Sequence, residues 1–437
     1  MTKNITLDDA IADTESAYKA ANPKSQEFYA AATGSMPGGN TRTVLHYSPF
    51  PLTFVAAEGA HVTDADGHRL LDLMGEYTAG LYGHSDPTIS NAVKDALDNG
   101  IVFGGPNPLE VEFAQAICAR FPAIEKVRFC NSGTEANVYA LSAARAFTGR
   151  DAVIVMKDGY HGGVLYFGVD CPLNLPMPFH IVPFNDCEAA GDKIRELGQD
   201  LAAVIVEPML GGGGCIPATE EFLTTLREQT DAVGAMLILD EVMTSRIAPG
   251  GLHGHHGIMP DMVTLGKYMG GGLTFGAFGG RADIMSRFDP REANAWPHAG
   301  TFNNNVLTMA AGLAGLTKVF TPAAVEALNA KGDYLRQRLQ AAIDRHDAPV
   351  QVTGMGSMTS YHFARTPIDS PYDIPATPPA LKALVHLDLI DLGYYVARRG
   401  MINLSLPTTD QDIDGFVGAF DEVLATRATV LNTVVPG

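Results

Sequence analysis

The sequence predicts an α/β fold: a mostly parallel central sheet in a large domain, followed by a smaller α+β domain. Two observations carry this. Between residues 126 and 320, short apolar runs rich in β-branched residues alternate with longer stretches of helical periodicity. Continuous apolar strands separated by helices indicate a parallel sheet covered on both faces. After Thr321-Pro322 that alternation stops.

Taken in order, residues 7–30 read as one N-terminal helix, and Pro37-Gly38-Gly39 breaks the chain after it. Strands are expected at 126–130, 152–156, 201–206, 236–239, 262–265 and 277–279, and helices at 134–147, 219–230 and 306–320. Beyond Pro322 come a helix over 323–345, a strand-like stretch over 350–363 and a Pro-rich loop over 366–379. A helix, a short strand near 401–404 and a last helix from Thr409 complete the chain. The expected division is therefore 1–60, an N-terminal segment packing with the small domain; 61–322, the large domain; and 323–437, the small domain.

Composition narrows the function classes. The 437 residues are 46% hydrophobic and 18% charged, which suits a globular protein with a large core. No apolar run approaches the ~20 residues that span a bilayer, and residues 1–20 are polar and acidic, unlike a signal peptide. Five scattered cysteines without a CxxC pair suggest reduced thiols and a cytoplasmic location. A net charge of −19 argues against nucleic acid and anionic membrane surfaces as partners. An anionic substrate would then need local arginines.

Four features fall at expected strand ends, where α/β proteins place ligands. Asn131-Ser132-Gly133-Thr134-Glu135-Ala136-Asn137 follows a strand and opens a helix. Free N–H groups, a glycine and two hydroxyls there can cradle a phosphate, although Ser and Thr are also ordinary helix caps. Asp240 ends the apolar run Leu237-Ile238-Leu239. A carboxylate there needs a partner: a cationic heterocyclic nitrogen, a metal ion or a structural ion pair. Lys267, in Leu265-Gly266-Lys267-Tyr268-Met269-Gly270-Gly271-Gly272, is either a surface lysine or one placed to form a Schiff base with a carbonyl cofactor. A P-loop is excluded, since Asp261 stands where that motif needs glycine and Tyr268 where it needs Ser or Thr. Tyr160, in Gly159-Tyr160-His161-Gly162-Gly163, can stack on a flat ligand or simply pack in a turn. His253-Gly254-His255-His256 has no carboxylate or cysteine at ligand spacing, so no metal is expected. Trp296 and His298 line the cleft or pack in the core.

Together a phosphate cradle, an aromatic stacker, a strand-end carboxylate and a Schiff-base lysine are the contacts that pyridoxal phosphate needs. With N-S-G-T-E-A-N, G-Y-H-G, V-E-P-M, L-D-E-V and G-K-x-x-G-G-G-x-x-x-G-A-F-G-G, the sequence resembles the class III pyridoxal-phosphate aminotransferases of fold type I. Within that class it is similar to glutamate-1-semialdehyde aminomutases and, more so, to β-phenylalanine aminotransferases. Ala299-Gly300-Thr301-Phe302-Asn303-Asn304-Asn305 stands where class III members often have a Gly-Asn/His-Pro element, which resembles the β-amino-acid enzymes.

The resemblance implies roles. Lys267 would carry the cofactor and shuttle the proton, and Asp240 would pair with the pyridine nitrogen. Val242 would pack on the ring face opposite Tyr160. Ser132, Gly133 and Thr134 would hold the phosphate, Glu207 in Val206-Glu207-Pro208-Met209 would sit near the cofactor, and Thr301 would reach the phosphate of a neighbouring subunit, implying a homodimer. Arg42 would bind a substrate carboxylate, and Arg399 the α-carboxylate of the amino acceptor; a guanidinium fork suits both. The implied reaction moves an amino group from a β-amino acid, aromatic in this reading, to an α-keto acid such as 2-oxoglutarate or pyruvate. An intramolecular aminomutase, a broad amine transaminase and a non-catalytic cofactor-binding protein are the alternatives. Loops 74–82 and 103–108 would shape the pocket.

Overall fold

Strands β1 (Lys126–Cys130), β2 (Ala152–Met156), β3 (Phe179–Val182), β4 (Leu201–Val206), β5 (Met236–Asp240), β6 (Met262–Gly266) and β7 (Gly276–Gly280) form one sheet in the order β1-β7-β6-β5-β4-β2-β3. These come from a computed structural model that describes residues 6–435. Residues 1–5 and 436–437, the outer ends of the first and last expected segments, lie outside the described residues. Strands β2 to β6 pair in parallel, while β7 runs antiparallel to both β6 and β1.

Every residue of β2, β4, β5 and β6 is buried, because helices cover both faces. Side chains alternate between the faces. Ile154, Val204, Leu237 and Leu239 pack with Phe222 and Leu226 of helix Glu220–Val233. Val153, Val155, Ile205 and Ile238 pack with Ala136, Ala140 and Ala144 of helix Gly133–Thr148. That helix crosses from β1 to β2, so Ser132 and Gly133 lie at the carboxyl edge of the sheet.

Strand β7 is rich in glycine for a steric reason. A Cβ on Gly276 would lie 2.1 Å from the Ser132 carbonyl oxygen and 2.8 Å from Cys130 Sγ. The missing Cβ at Gly276 lets β7 fit between β1 and β6 beside the expected cradle.

Several elements differ from the sequence expectation. The N-terminal helix is two helices, Leu7–Ala21 and Pro23–Thr33. Asn22 precedes a proline and is forced out of the helical region (φ −125°, ψ 49°), and Pro23 opens the second helix at its first position. Edge strand β3 was not expected. The stretch over 350–363 is a hairpin, Gln351–Met355 with Met358–His362, turned at Gly356 (φ +51°) and extended by Met401–Asn403. Helix Val306–Ala314 ends in a π turn, Gly315–Val319.

Helix Leu7–Ala21 lies on helix Pro379–Asp391. Thr14 Oγ1 and Arg427 both bond to Asp388, the guanidinium at 2.8 Å. Helices Pro322–His346 and Asp410–Val434 pack against each other beside the hairpin.

Candidate active site

The sequence motifs converge at the carboxyl edge of the sheet. After β1, Ser132 caps its helix, its Oγ accepting from Glu135 N–H at 3.1 Å. The N–H groups of the first turn, Gly133 and Thr134 among them, have no partner within the helix and stand at the positive end of its dipole. The turn after β2 closes over them: Gly162 has φ +135°, and a Cβ there would meet Thr134 Oγ1 at 2.5 Å. Val242, just past β5, fills the space between two glycines. A Cβ on Gly133 would lie 2.9 Å from both its γ-carbons, and one on Gly266 would lie 3.2 Å from Cγ1.

Asp240 is buried at the end of β5 and fully engaged on one side. Its Oδ2 accepts from Asn137 Nδ2 at 2.7 Å and faces His161 Nδ1 at 2.8 Å; its Oδ1 accepts from Val242 N–H at 3.0 Å. Asn137 is in turn held by Thr264 Oγ1 at 2.6 Å. The carboxylate is thus fixed by groups from three strand-end segments, with acceptor capacity left on Oδ1. Glu207, after β4, accepts from the backbone N–H of Tyr160 and of Gly211, each at 3.0 Å, and so pins the stacking turn. Burial pushes its carboxyl up to about 7, with His161 opposing.

Lys267 follows β6 in left-handed backbone, φ +52°. Its amine makes no hydrogen bond or ion pair among the described residues. Burial pulls the ammonium down to about 8, against the attraction of Asp240 and with the repulsion of Arg399.

The two arginines meet on one turn. Gly75, Glu76, Tyr77 and Thr78 all have positive φ (52°, 47°, 51° and 80°), three of them without being glycine. Arg42 pairs with Glu76 (Nη2 to Oε1, 2.5 Å), and both are half-exposed. Arg399 lies 4.7 Å over the Tyr77 ring, with no carboxylate partner among the described residues, and its buried Nε has no hydrogen bond. Burial raises the Tyr160 phenol, and the two cations oppose that rise. Arg399 also borders a cavity of about 270 Å³ lined by Gly211 to Gly214, His362 and Lys382.

Thr301 is exposed and lies with residues 101–107 on a separate cavity wall; no hydrogen bond joins it to Ser132, Gly133 or Thr134. Two residues on, Asn303 Oδ1 accepts from Asn131 Nδ2 at 3.0 Å, tying that loop to the cradle. Trp296 and His298 are packing residues. Trp296 meets Phe288 edge-on, and His298 sits among Tyr139, Phe278 and Phe288. His253 pairs with buried Glu241 at 2.5 Å.

Sequence reasoning missed Asn137, His161, Glu76 and Tyr77. The first two stood inside quoted motifs, and Asn137 one helical turn past Gly133 was a usable signal.

This set fits pyridoxal phosphate. An amine without a partner, an N–H cradle walled by glycines that a Cβ would fill, and a buried, oriented carboxylate match its aldehyde, phosphate and ring nitrogen respectively.

The comparisons with known proteins agree. Residues 45–424 match the family model for class III aminotransferases. The chain is 50% identical to a β-phenylalanine transaminase of Variovorax paradoxus over 97% of this chain and 98% of that one, and the crystal structure of that enzyme superposes with a TM-score of 0.95. An ω-transaminase from Sphaerobacter thermophilus is 34% identical over 92% of this chain and 98% of its own, TM-score 0.88. A transaminase with pyridoxal phosphate bound is 33% identical over 94% and 99%, TM-score 0.84. The fold is fold type I, the cofactor is pyridoxal phosphate, and the chain belongs to the class III aminotransferase family.

Proposed function

We propose that the protein moves the amino group of an aromatic β-amino acid onto an α-keto acid such as 2-oxoglutarate or pyruvate. The observation that carries this is the placement of Arg42 and Arg399 on successive residues of one turn. The keto acid bears its carboxylate on the reacting carbon, whereas in a β-amino acid one more carbon intervenes. One guanidinium cannot suit both, and two at different places can. The likeness to a β-phenylalanine transaminase supports the donor class.

When bound, pyridoxal phosphate supplies the electron sink for the charge left at the substrate carbon. The chain does the rest. Ser132, Gly133 and Thr134 would hold the phosphate, Tyr160 and Val242 would face the two sides of the ring, and Asp240, oriented by Asn137 and His161, would pair with the ring nitrogen. Lys267 would hold the cofactor through Nζ. Once free, its amine is a base of near-neutral strength and moves the proton to and from the substrate carbon. Glu207 keeps Tyr160 in place through its backbone.

Thr301 would serve the phosphate bound by a second copy of the chain, making the enzyme a homodimer with shared sites. Exposed Val102, Phe103 and Phe302 beside it offer an apolar surface for that partner. The same reading keeps the division 1–60, 61–322 and 323–437, and five free cysteines suit the cytoplasm. No single helix among the described residues is long and apolar enough to cross a membrane.

The test is stoichiometry. Incubated with β-phenylalanine, the enzyme should consume one external keto acid per amino group removed. An isomerised amine formed without an acceptor would favour the aminomutase instead.

A further inference from the structure

Arg42 already has a carboxylate, that of Glu76 (2.5 Å). Three observations make this pair more than a surface contact. Glu76 sits in left-handed backbone (φ +47°, ψ 42°) within a run of three such non-glycine residues, and runs of this kind persist where the surrounding fold enforces them. Neighbouring Tyr77 carries Arg399 on its ring, so the same turn presents both guanidinium groups. Glu76 is also close enough to Lys267 for its charge to favour the protonated amine, after burial, Asp240, Arg399 and Glu207. Both partners are half-exposed, with 43% and 46% of their side chains open to solvent, and a pair of that kind is weak and displaceable.

We infer that Glu76 is a specificity-determining residue: an internal carboxylate that occupies Arg42 until the carboxylate of the donor displaces it. This rests on the reading of Arg42 as the donor anchor. A ligand without a carboxylate cannot displace Glu76 and gains nothing from Arg42, so the latch tempers the preference for acids that Arg42 confers and leaves plain amines unaffected. The donor exchanges one ion pair for another, which weakens its binding by the strength of the resident pair.

The test is calorimetric binding of 3-phenylpropanoate, an acid of the donor's shape without its amine, to the holoenzyme, with 3-phenylpropanamide as the uncharged control. Glu76→Gln removes the charge. Glu76→Asn does the same with a side chain that tolerates left-handed backbone, should the first variant fold poorly. Either should tighten the acid by about two- to fivefold, matching the strength of an exposed pair, and leave the amide unchanged. Unchanged or weaker binding of the acid would overturn the latch, the latter showing that Glu76 holds Arg42 in place. Arg42→Ala separates this from the underlying reading. If that variant binds the acid as well as wild type, Arg42 is not the anchor. If it binds the acid more weakly while Glu76→Gln does not bind it more tightly, only the latch fails.

Discussion

Lys267 combines left-handed backbone with an amine that burial holds at about 8, below its ordinary 10.5. A folded-state value below the unfolded one means that folding disfavours the protonated amine. The penalty is therefore full below about pH 8, shrinks as pH rises from there, and is gone above about 10.5. In the apoenzyme, Lys267→Met should raise the melting temperature by a few degrees at pH 7, and the gain should narrow by pH 10. Thermal melts at the two pH values check this; an equal gain at both would contradict it. With cofactor added, the same variant should lack the visible absorbance of the lysine-linked form and should not turn over. In the proposed mechanism Asp240 carries the other half of the chemistry. Asp240→Asn should keep the contacts of Asn137 and His161 in part but remove the charge opposite the ring nitrogen. Turnover should fall by about two orders of magnitude or more. Cofactor content measured alongside kcat separates this from loss of binding; normal turnover with full cofactor would count against the role.

The elements place these residues by close approach. Strand β7 fits beside the cradle because Gly276 has no Cβ. Gly276→Ala should cost about 1–3 kcal/mol and weaken cofactor binding, since the Ser132 carbonyl must shift. Gly163→Ala, where a Cβ meets open space, should cost little. Chemical denaturation with a cofactor titration checks both, and equal effects of the two would remove the argument. Among the strands that the sequence revealed, Ala152–Met156 and Leu201–Val206 are continuous apolar runs. Edge strand β3, Phe179–Val182, escaped because its burial is incomplete and prolines flank it. The break at Asn22-Pro23 was signalled by the proline but hidden by helical periodicity on both sides. At the site, Lys267, Asp240 and the Ser132 cradle were legible because each motif is local. The partners of Asp240 lie 103 and 79 residues away and were not. Loop 74–82 was expected at the pocket, but its turn at Glu76 and Tyr77 was not, because left-handed backbone at a non-glycine residue is imposed by the fold and has no composition of its own.

At the scale of the whole molecule, the proposed shared sites need a second chain, and Val102, Phe103 and Phe302 beside Thr301 offer it an exposed apolar surface. Light scattering should give at least twice the mass of one chain at low micromolar protein, and Thr301→Ala should weaken cofactor retention. A fully active monomer would contradict shared sites. The central claim is that one site accepts a β-amino donor and an α-keto acceptor through separate arginines. Single-turnover kinetics of the two half-reactions, in wild type, Arg42→Ala and Arg399→Ala, test it most directly. Loss of a charge-assisted carboxylate contact should cost about 1.5–3 kcal/mol, roughly ten- to a hundredfold or somewhat more in specificity constant. The expected result is that Arg42→Ala slows the β-phenylalanine half-reaction by that factor and the keto-acid half-reaction much less, while Arg399→Ala does the reverse. If neither variant changes either half-reaction, the two-arginine assignment and the carboxylate substrates inferred from it are contradicted.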